Sequence, residues 1–323
     1  VVLLRLHRAY VREAALLAHE PSTPVGARVG LNVVLVLIDT MDLAVVRTLR
    51  EGGQAVRVLA REAAPELLAL GASLYRGDLL EGLKPTTRRP DGELAESGGI
   101  PDSLSAALDG VKEVYHLAGL VSREPKRGPA MMLLHVDGTR RLLQAAKQAG
   151  VTRVLLASTS GTIAVSRDPE PILDETAPYP IELVGNWPYY LSKIYQEKLA
   201  LDLGQRLGLE VVCVNPSLLL GPGDRRGSST SDVRKLLSGE LPAVPPGGLS
   251  FVDVRDAAQA CVAAMERGRP GARYLLGGPN WTFREFLGRL SRIAKVEPPW
   301  LRLPKGWNRA LSHVVRAIDH AYS

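Results

Sequence analysis

From Leu31 onward, short apolar runs alternate with amphipathic stretches. Runs of strand length and β-type composition occur at Val33–Ile38, Ala55–Leu59, Val111–His116, Arg153–Ala157 and Val211–Val214. Between them, Leu43–Glu51, Pro65–Leu70, Ser103–Leu108, Gly138–Ala149 and Tyr190–Leu207 read as helices. Strands that are apolar throughout are covered on both faces, so the pattern predicts an α/β fold with a doubly wound parallel sheet. Gly52-Gly53, Gly150 and Gly208 fall after a helix and before a strand, where a left-handed C-terminal cap is needed.

Three stretches depart from this rhythm. Residues 3–19 have apolar positions at helical spacing and end at Pro21, which predicts a helix within an N-terminal extension over residues 1–30. Gly82–Pro101 is rich in Pro, Gly and charge and reads as an inserted surface loop. Beyond Ser217 the pattern turns irregular, with loops at Pro222 and Pro242–Gly248 and helices at Asp253–Glu266 and Thr282–Ile293. Residues 31–217 are therefore expected to form the main Rossmann-like domain, and 218–323 mostly a smaller domain on the substrate side.

Composition narrows the class. The 323 residues are 46% hydrophobic and 23% charged, ordinary values for a globular protein. The formal charge is +6, but Lys and Arg are scattered rather than gathered in an aromatic-flanked stripe, which argues against nucleic acid and suits a small anionic cofactor or substrate. Two cysteines, Cys213 and Cys261, lie in apolar surroundings and are too few for a disulfide framework or a zinc site, so a cytoplasmic setting and no metal are expected. No apolar run approaches the roughly 18 residues of a membrane span. The charged first 20 residues make a poor signal peptide.

Candidate chemistry lies at Tyr189-Tyr190-Leu191-Ser192-Lys193. On a helix Tyr189 and Lys193 share a face one turn apart, and an ammonium beside a phenol favours the phenolate, making it a usable general acid or base. The spacing alone is common. The strand before Ser158-Thr159-Ser160-Gly161 strengthens it by delivering hydroxyls to the carboxyl end of a sheet, where open α/β sheets bind ligands.

Several motifs now stand in order: Arg57-Val58-Leu59-Ala60-Arg61, Gly77-Asp78-Leu79, Val114-Tyr115-His116-Leu117-Ala118-Gly119, Val136-Asp137-Gly138-Thr139, the Ser158–Ser160 cluster, Tyr189-x-x-x-Lys193, Asn215-Pro216-Ser217, Gly221-Pro222-Gly223 and Phe251-Val252-Asp253-Val254. In these the chain resembles the extended short-chain dehydrogenase/reductase (NAD-dependent epimerase/dehydratase) family, most of all its dihydroflavonol-reductase-like and 3β-hydroxysteroid-dehydrogenase-like branch, over about Val45 to Leu303. The resemblance implies a catalytic Ser160, with Thr159 as its one-position alternative, and Tyr189 as acid/base. Lys193 would tune the phenol and bind the nicotinamide ribose. Asp78 would reach the adenine amine with Leu79 as its apolar neighbour, Ala118 and Gly119 would pass the cofactor's ribose and phosphates, and Pro216 and Ser217 would line the nicotinamide. Arg61, at the end of the second strand, suits the 2′-phosphate of NADP, although Glu62 beside it keeps NAD in play. The implied partner is a small-molecule substrate, and a homodimer is common in the family.

Two departures stand out. Counting back from Val45, the family's phosphate-binding glycines would fall at Val36, Asp39 and Asp42, none of which is glycine. Competing explanations are a corrupted reading upstream of Val45, weakened cofactor binding, or another arrangement of residues 20–44. The second departure is His135, where the family usually has Asn; it reads as a tolerated replacement rather than a metal ligand or base, and His116 as a packed core residue. The expectation is therefore an NADP(H)-dependent oxidoreductase interconverting a carbonyl and a secondary alcohol. The alternatives are a nucleotide-sugar epimerase or dehydratase with retained cofactor, and a non-catalytic nucleotide-binding or scaffold protein.

Overall fold

A computed structural model describes residues 32–36, 41–83, 98–168, 173–224, 227, 229–241, 243–244, 246–299 and 301–302. The predicted helix at 3–19 and the expected glycine position Asp39 lie outside them. In chain order the first half runs β1 (Asn32–Val36), α1 (Met41–Glu51), β2 (Ala55–Ala60), α2 (Pro65–Ala69), β3 (Ser73–Arg76), α3 (Asp102–Leu108), β4 (Glu113–His116), α4 (Gly128–Met132), a π turn (Leu133–Gly138), α5 (Thr139–Gln148) and β5 (Arg153–Ala157). The second half follows with α6 (Ile181–Val184), α7 (Pro188–Leu207), β6 (Glu210–Pro216), β7 (Leu218–Leu220), α8 (Ser231–Leu237), β8 (Ala243–Val244), β9 (Gly248–Asp253), α9 (Val254–Arg267), β10 (Arg273–Leu276), β11 (Asn280–Thr282), α10 (Phe283–Ala294) and β12 (Leu301–Arg302).

Seven parallel strands form the main sheet in the order β10-β6-β5-β4-β1-β2-β3. Its alternating side chains feed two separate cores, as a sheet covered on both faces requires. On one face Tyr115, Leu155 and Val212 pack with Val45, Val46 and Leu49 of α1 and Ala257, Ala258 and Cys261 of α9. On the other, Val114, Val154 and Val211 pack with Leu104 of α3, Leu142 and Leu143 of α5 and Ala200 of α7. Both cysteines are buried, and burial pushes the Cys261 thiol up to about 12, as suits a core residue.

The strand pattern from sequence misses β3 and β10, the two edges of the sheet. Each is four residues long and only half covered, so neither presents a continuous apolar run. Chain beyond Ser217 divides between the two parts. α9 and β10 return to the main sheet, while β11, β9 and β7 build a small second sheet and β12 pairs with β8. The Gly82–Pro101 loop leaves and rejoins at one place: a Cβ on Gly98, whose φ is +58°, would lie 2.7 Å from the Gly82 carbonyl oxygen. Only glycine fits there.

Candidate active site

Register decides where the loops open. Val36 pairs with Leu59 and His116, His116 with Leu156, and Leu156 with Cys213, so the strands end nearly level. Beyond that line lie Arg61, Asp78, Ala118-Gly119, Ser158–Ser160 and Ser217. The chain order reverses between β1 and β4, the switch point at which open sheets bind ligands.

One face of α7 builds the centre of this edge. Pro188 opens the helix with its φ already set, and Ser192, Lys193, Gln196 and Glu197 follow as buried polar side chains. Such groups are costly unless satisfied, and each has partners. The Lys193 ammonium, 4% exposed, donates to the Ala157 carbonyl at 2.9 Å, where β5 runs into the hydroxyl cluster. Gln196 donates to Thr139 Oγ1 at 2.9 Å, and His116 Nε2 lies 2.7 Å from the same hydroxyl, so His116 belongs to a buried polar core. The Glu197 carboxylate accepts from Asn215 Nδ2 at 2.8 Å and Thr162 Oγ1 at 3.0 Å, with the Arg273 guanidinium 3.5 Å away.

That last network fixes the turn carrying Ser160. Residues Ser160–Thr162 form one 3₁₀ turn, and Thr159 caps it by accepting from the Gly161 amide at 3.3 Å. Thr159 Oγ1 thus accepts one bond from the turn it caps, and Ser160 is buried beside it. Tyr190 packs against Gly161, where a Cβ would come within 2.1 Å of the ring, and its centroid is 5.4 Å from that of Tyr189. Tyr190 thus touches both the Ser160 turn and the ring of Tyr189.

His135 holds the other side. Its Nε2 accepts from the Leu120 amide at 3.0 Å, and its Nδ1 lies 2.8 Å from Ser192 Oγ, which donates to the Tyr189 carbonyl at 2.8 Å. Its ring meets that of Tyr189 edge-on at 6.1 Å. Burial, then the nearby Lys193 charge, then His116, hold its pKa well below the usual histidine value. A Cβ on Gly119 would stand 3.5 Å from Lys193 Nζ and 3.7 Å from His135 Nε2, so this turn packs against both.

Arg61, Asp78 and Leu79 lie at the other end of the edge, beyond β2 and β3. Arg61 is exposed and Leu79 buried. The Asp78 carboxylate accepts from the Leu80 amide at 2.9 Å, while Arg141 donates to the Leu79 carbonyl at 3.0 Å, which fixes this turn. A nicotinamide end fits the centre of the edge: the buried Ser158 and Ser217 hydroxyls, at the ends of adjacent strands, have no partner among the described residues. The diphosphate position fits poorly. Asp42 is a buried residue in the first turn of α1, where the helix's amides would otherwise face phosphate. Sequence reasoning missed the Glu197–Asn215–Arg273 network and the tie through His135; the only sequence signal for the former is the Glu placed four residues after Lys193.

Residues 43–277 match the model of the NAD dependent epimerase/dehydratase family. The chain belongs to that family. A Synechocystis sp. protein provisionally named dihydroflavonol 4-reductase is 31% identical over 276 residues, covering 81% of this chain and 74% of its own, in keeping with the dihydroflavonol-reductase-like branch. The structure of gox2253 matches with a TM-score of 0.73 and 31% identity, over 91% of this chain and 83% of that one. A Thermus thermophilus UDP-glucose 4-epimerase in complex with NAD matches with a TM-score of 0.67 at 23% identity, over 85% and 86%; it shares the fold. The chain is thus an NAD(P)-dependent enzyme of the short-chain dehydrogenase type. Among the described residues no helix is long and apolar enough to cross a membrane, and no group of three or more His, Cys, Asp or Glu could hold a metal.

Proposed function

We propose that this enzyme interconverts a carbonyl and a secondary alcohol on a small organic substrate, with NADP(H) as cofactor. The bound nicotinamide supplies the hydride, and the protein supplies position, charge and the proton. Tyr189 gives the proton to the substrate oxygen on reduction and takes it back on oxidation. Ser160 donates a hydrogen bond to that oxygen. Lys193 keeps the phenol acidic from one helical turn away.

One observation carries this reading. Lys193 is buried yet held at the end of β5 by the Ala157 carbonyl, on the helix face that also carries Tyr189. A buried ammonium is expensive, and tuning the Tyr189 phenol one turn away would give it a chemical purpose. Exposed Arg61 at the end of β2 supports NADP over NAD, because a guanidinium pairs well with a 2′-phosphate.

The test is label transfer. A panel of aldehydes and ketones is incubated with the full chain and NADPH deuterated at the transferring carbon. Deuterium on the carbinol carbon of a released alcohol supports the reductase. Cofactor that stays bound through purification and turns over nucleotide sugars without net oxidation would overturn it in favour of an epimerase or dehydratase.

A further inference from the structure

We propose that His135 is a positioning residue for Tyr189: a single neutral tautomer of its ring clamps the first turn of α7 to the backbone of the Ala118–Leu120 turn. The inference rests on the reading of Tyr189 as the acid/base.

Proton bookkeeping fixes the tautomer. Nε2 faces the Leu120 N–H, a donor, so that nitrogen must carry its lone pair. The Ser192 hydroxyl has one proton, and it goes to the Tyr189 carbonyl. Ser192 Oγ must then accept from His135, which places the ring proton on Nδ1. The result is an unbroken relay in which the Leu120 amide donates to His135, His135 to Ser192, and Ser192 to the Tyr189 backbone.

The surroundings hold the ring in that state. The Lys193 ammonium faces it and would repel an imidazolium, and neutral His116 leaves that charge uncompensated. Protonating Nε2 would also set two donors against each other at 3.0 Å. His135 is fully buried, and both nitrogens are committed, so it has no means of exchanging a proton with a substrate. Its effect passes through Ser192 to the backbone of Tyr189, and through the edge-on contact to the Tyr189 ring. The ring sits in the π turn Leu133–Gly138, a local widening of helix that often marks functional positions. The Leu120 end of the clamp follows directly after Gly119, which packs against Lys193 as well. Replacing His135 should therefore disturb how Tyr189 and Lys193 sit relative to one another.

The experiment uses the full chain labelled with ¹⁵N-histidine and with ¹³C at the tyrosine ζ-carbon. Signals are assigned by His135→Gln and Tyr189→Phe. In the wild type, His135 is expected to show a protonated Nδ1 and a lone pair on Nε2, unchanged from pH 8 to pH 6. His135→Ala is expected to move the Tyr189 titration to higher pH by ~0.5 unit or more, with the other tyrosines unmoved. His135→Asn, which keeps one acceptor and one donor, should restore most of it. If His135→Ala fails to fold, Ser192→Ala cuts the same relay while keeping the buried ring, and the same shift is expected. An Nε2–H tautomer, or a Tyr189 titration indifferent to both variants, would overturn the inference. A wild-type Tyr189 that titrates like an ordinary exposed tyrosine would instead remove the acid/base reading, and the clamp with it.

Discussion

Asn215, on β6, donates its side-chain amide to the fully buried Glu197 carboxylate at 2.8 Å. With the Thr162 hydroxyl and the Arg273 guanidinium it ties helix α7 to the Ser160 turn and to edge strand β10. Removing one partner from such a cluster strands the others away from water. Glu197→Ala is expected to destabilise the protein by about 3–5 kcal/mol, read as a lower midpoint in urea unfolding. A midpoint close to wild type would show that the network contributes little.

Gly161 is required by Tyr190 rather than by its backbone. A Cβ there would meet the ring at 2.1 Å, closer than van der Waals contact permits, so the ring or the Ser160 turn must shift. Gly161→Ala should cost about 1–3 kcal/mol by thermal denaturation. The double variant with Tyr190→Ala should recover part of that loss, since the clash has gone. Equal losses in Gly161→Ala with and without Tyr190 would contradict this packing.

Acid should weaken the fold through its buried histidines. Burial, then the Lys193 charge, hold the His116 pKa at about 3, and His135 is lowered in the same direction, so both are neutral in the folded protein. The unfolded chain binds their protons below about 6.5. Stability is therefore fully present above that pH and lost as pH falls towards the folded value. For His116 the loss is about 2 kcal/mol between pH 8 and pH 5. Urea midpoints at the two pH values check this, and a His116→Gln variant should lose less.

Asp42 stands where a phosphate-binding helix wants no negative charge. Asp42→Asn is expected to tighten NADPH binding by about 10-fold, or ~1.4 kcal/mol, measured by calorimetry at low salt. Unchanged affinity would mean that the diphosphate does not approach this turn.

Much of this was legible in the chain. The apolar strands at Ala55, Val114, Arg153 and Val211 and the helices between them are where the pattern puts them, because strands buried on both faces carry an unmistakable run of apolar residues. Tyr189 and Lys193 could be named from their helical spacing and the Ser158–Ser160 cluster from the strand before it, whereas Ser160 in particular and Gly119 were named through the family resemblance. β3 and β10 escaped notice because half-covered edges need no continuous apolar run. The role of His135 was not legible. Nothing in Leu-His-Val-Asp-Gly-Thr reveals that its ring spans from Leu120 to Ser192, a relation set by the packing of α7 against the π turn. Sequence reasoning read it as a tolerated replacement for Asn, and the structure gives it two specific partners.

The central claim concerns one phenol. Tyr189→Phe removes a single oxygen and keeps the ring that packs against Tyr190 and His135. Measured side by side with wild type, the variant should lose about 10²–10⁴-fold in kcat for NADPH-dependent carbonyl reduction while binding NADPH with unchanged Kd. Turnover equal to wild type would contradict the assignment of Tyr189 as the acid/base.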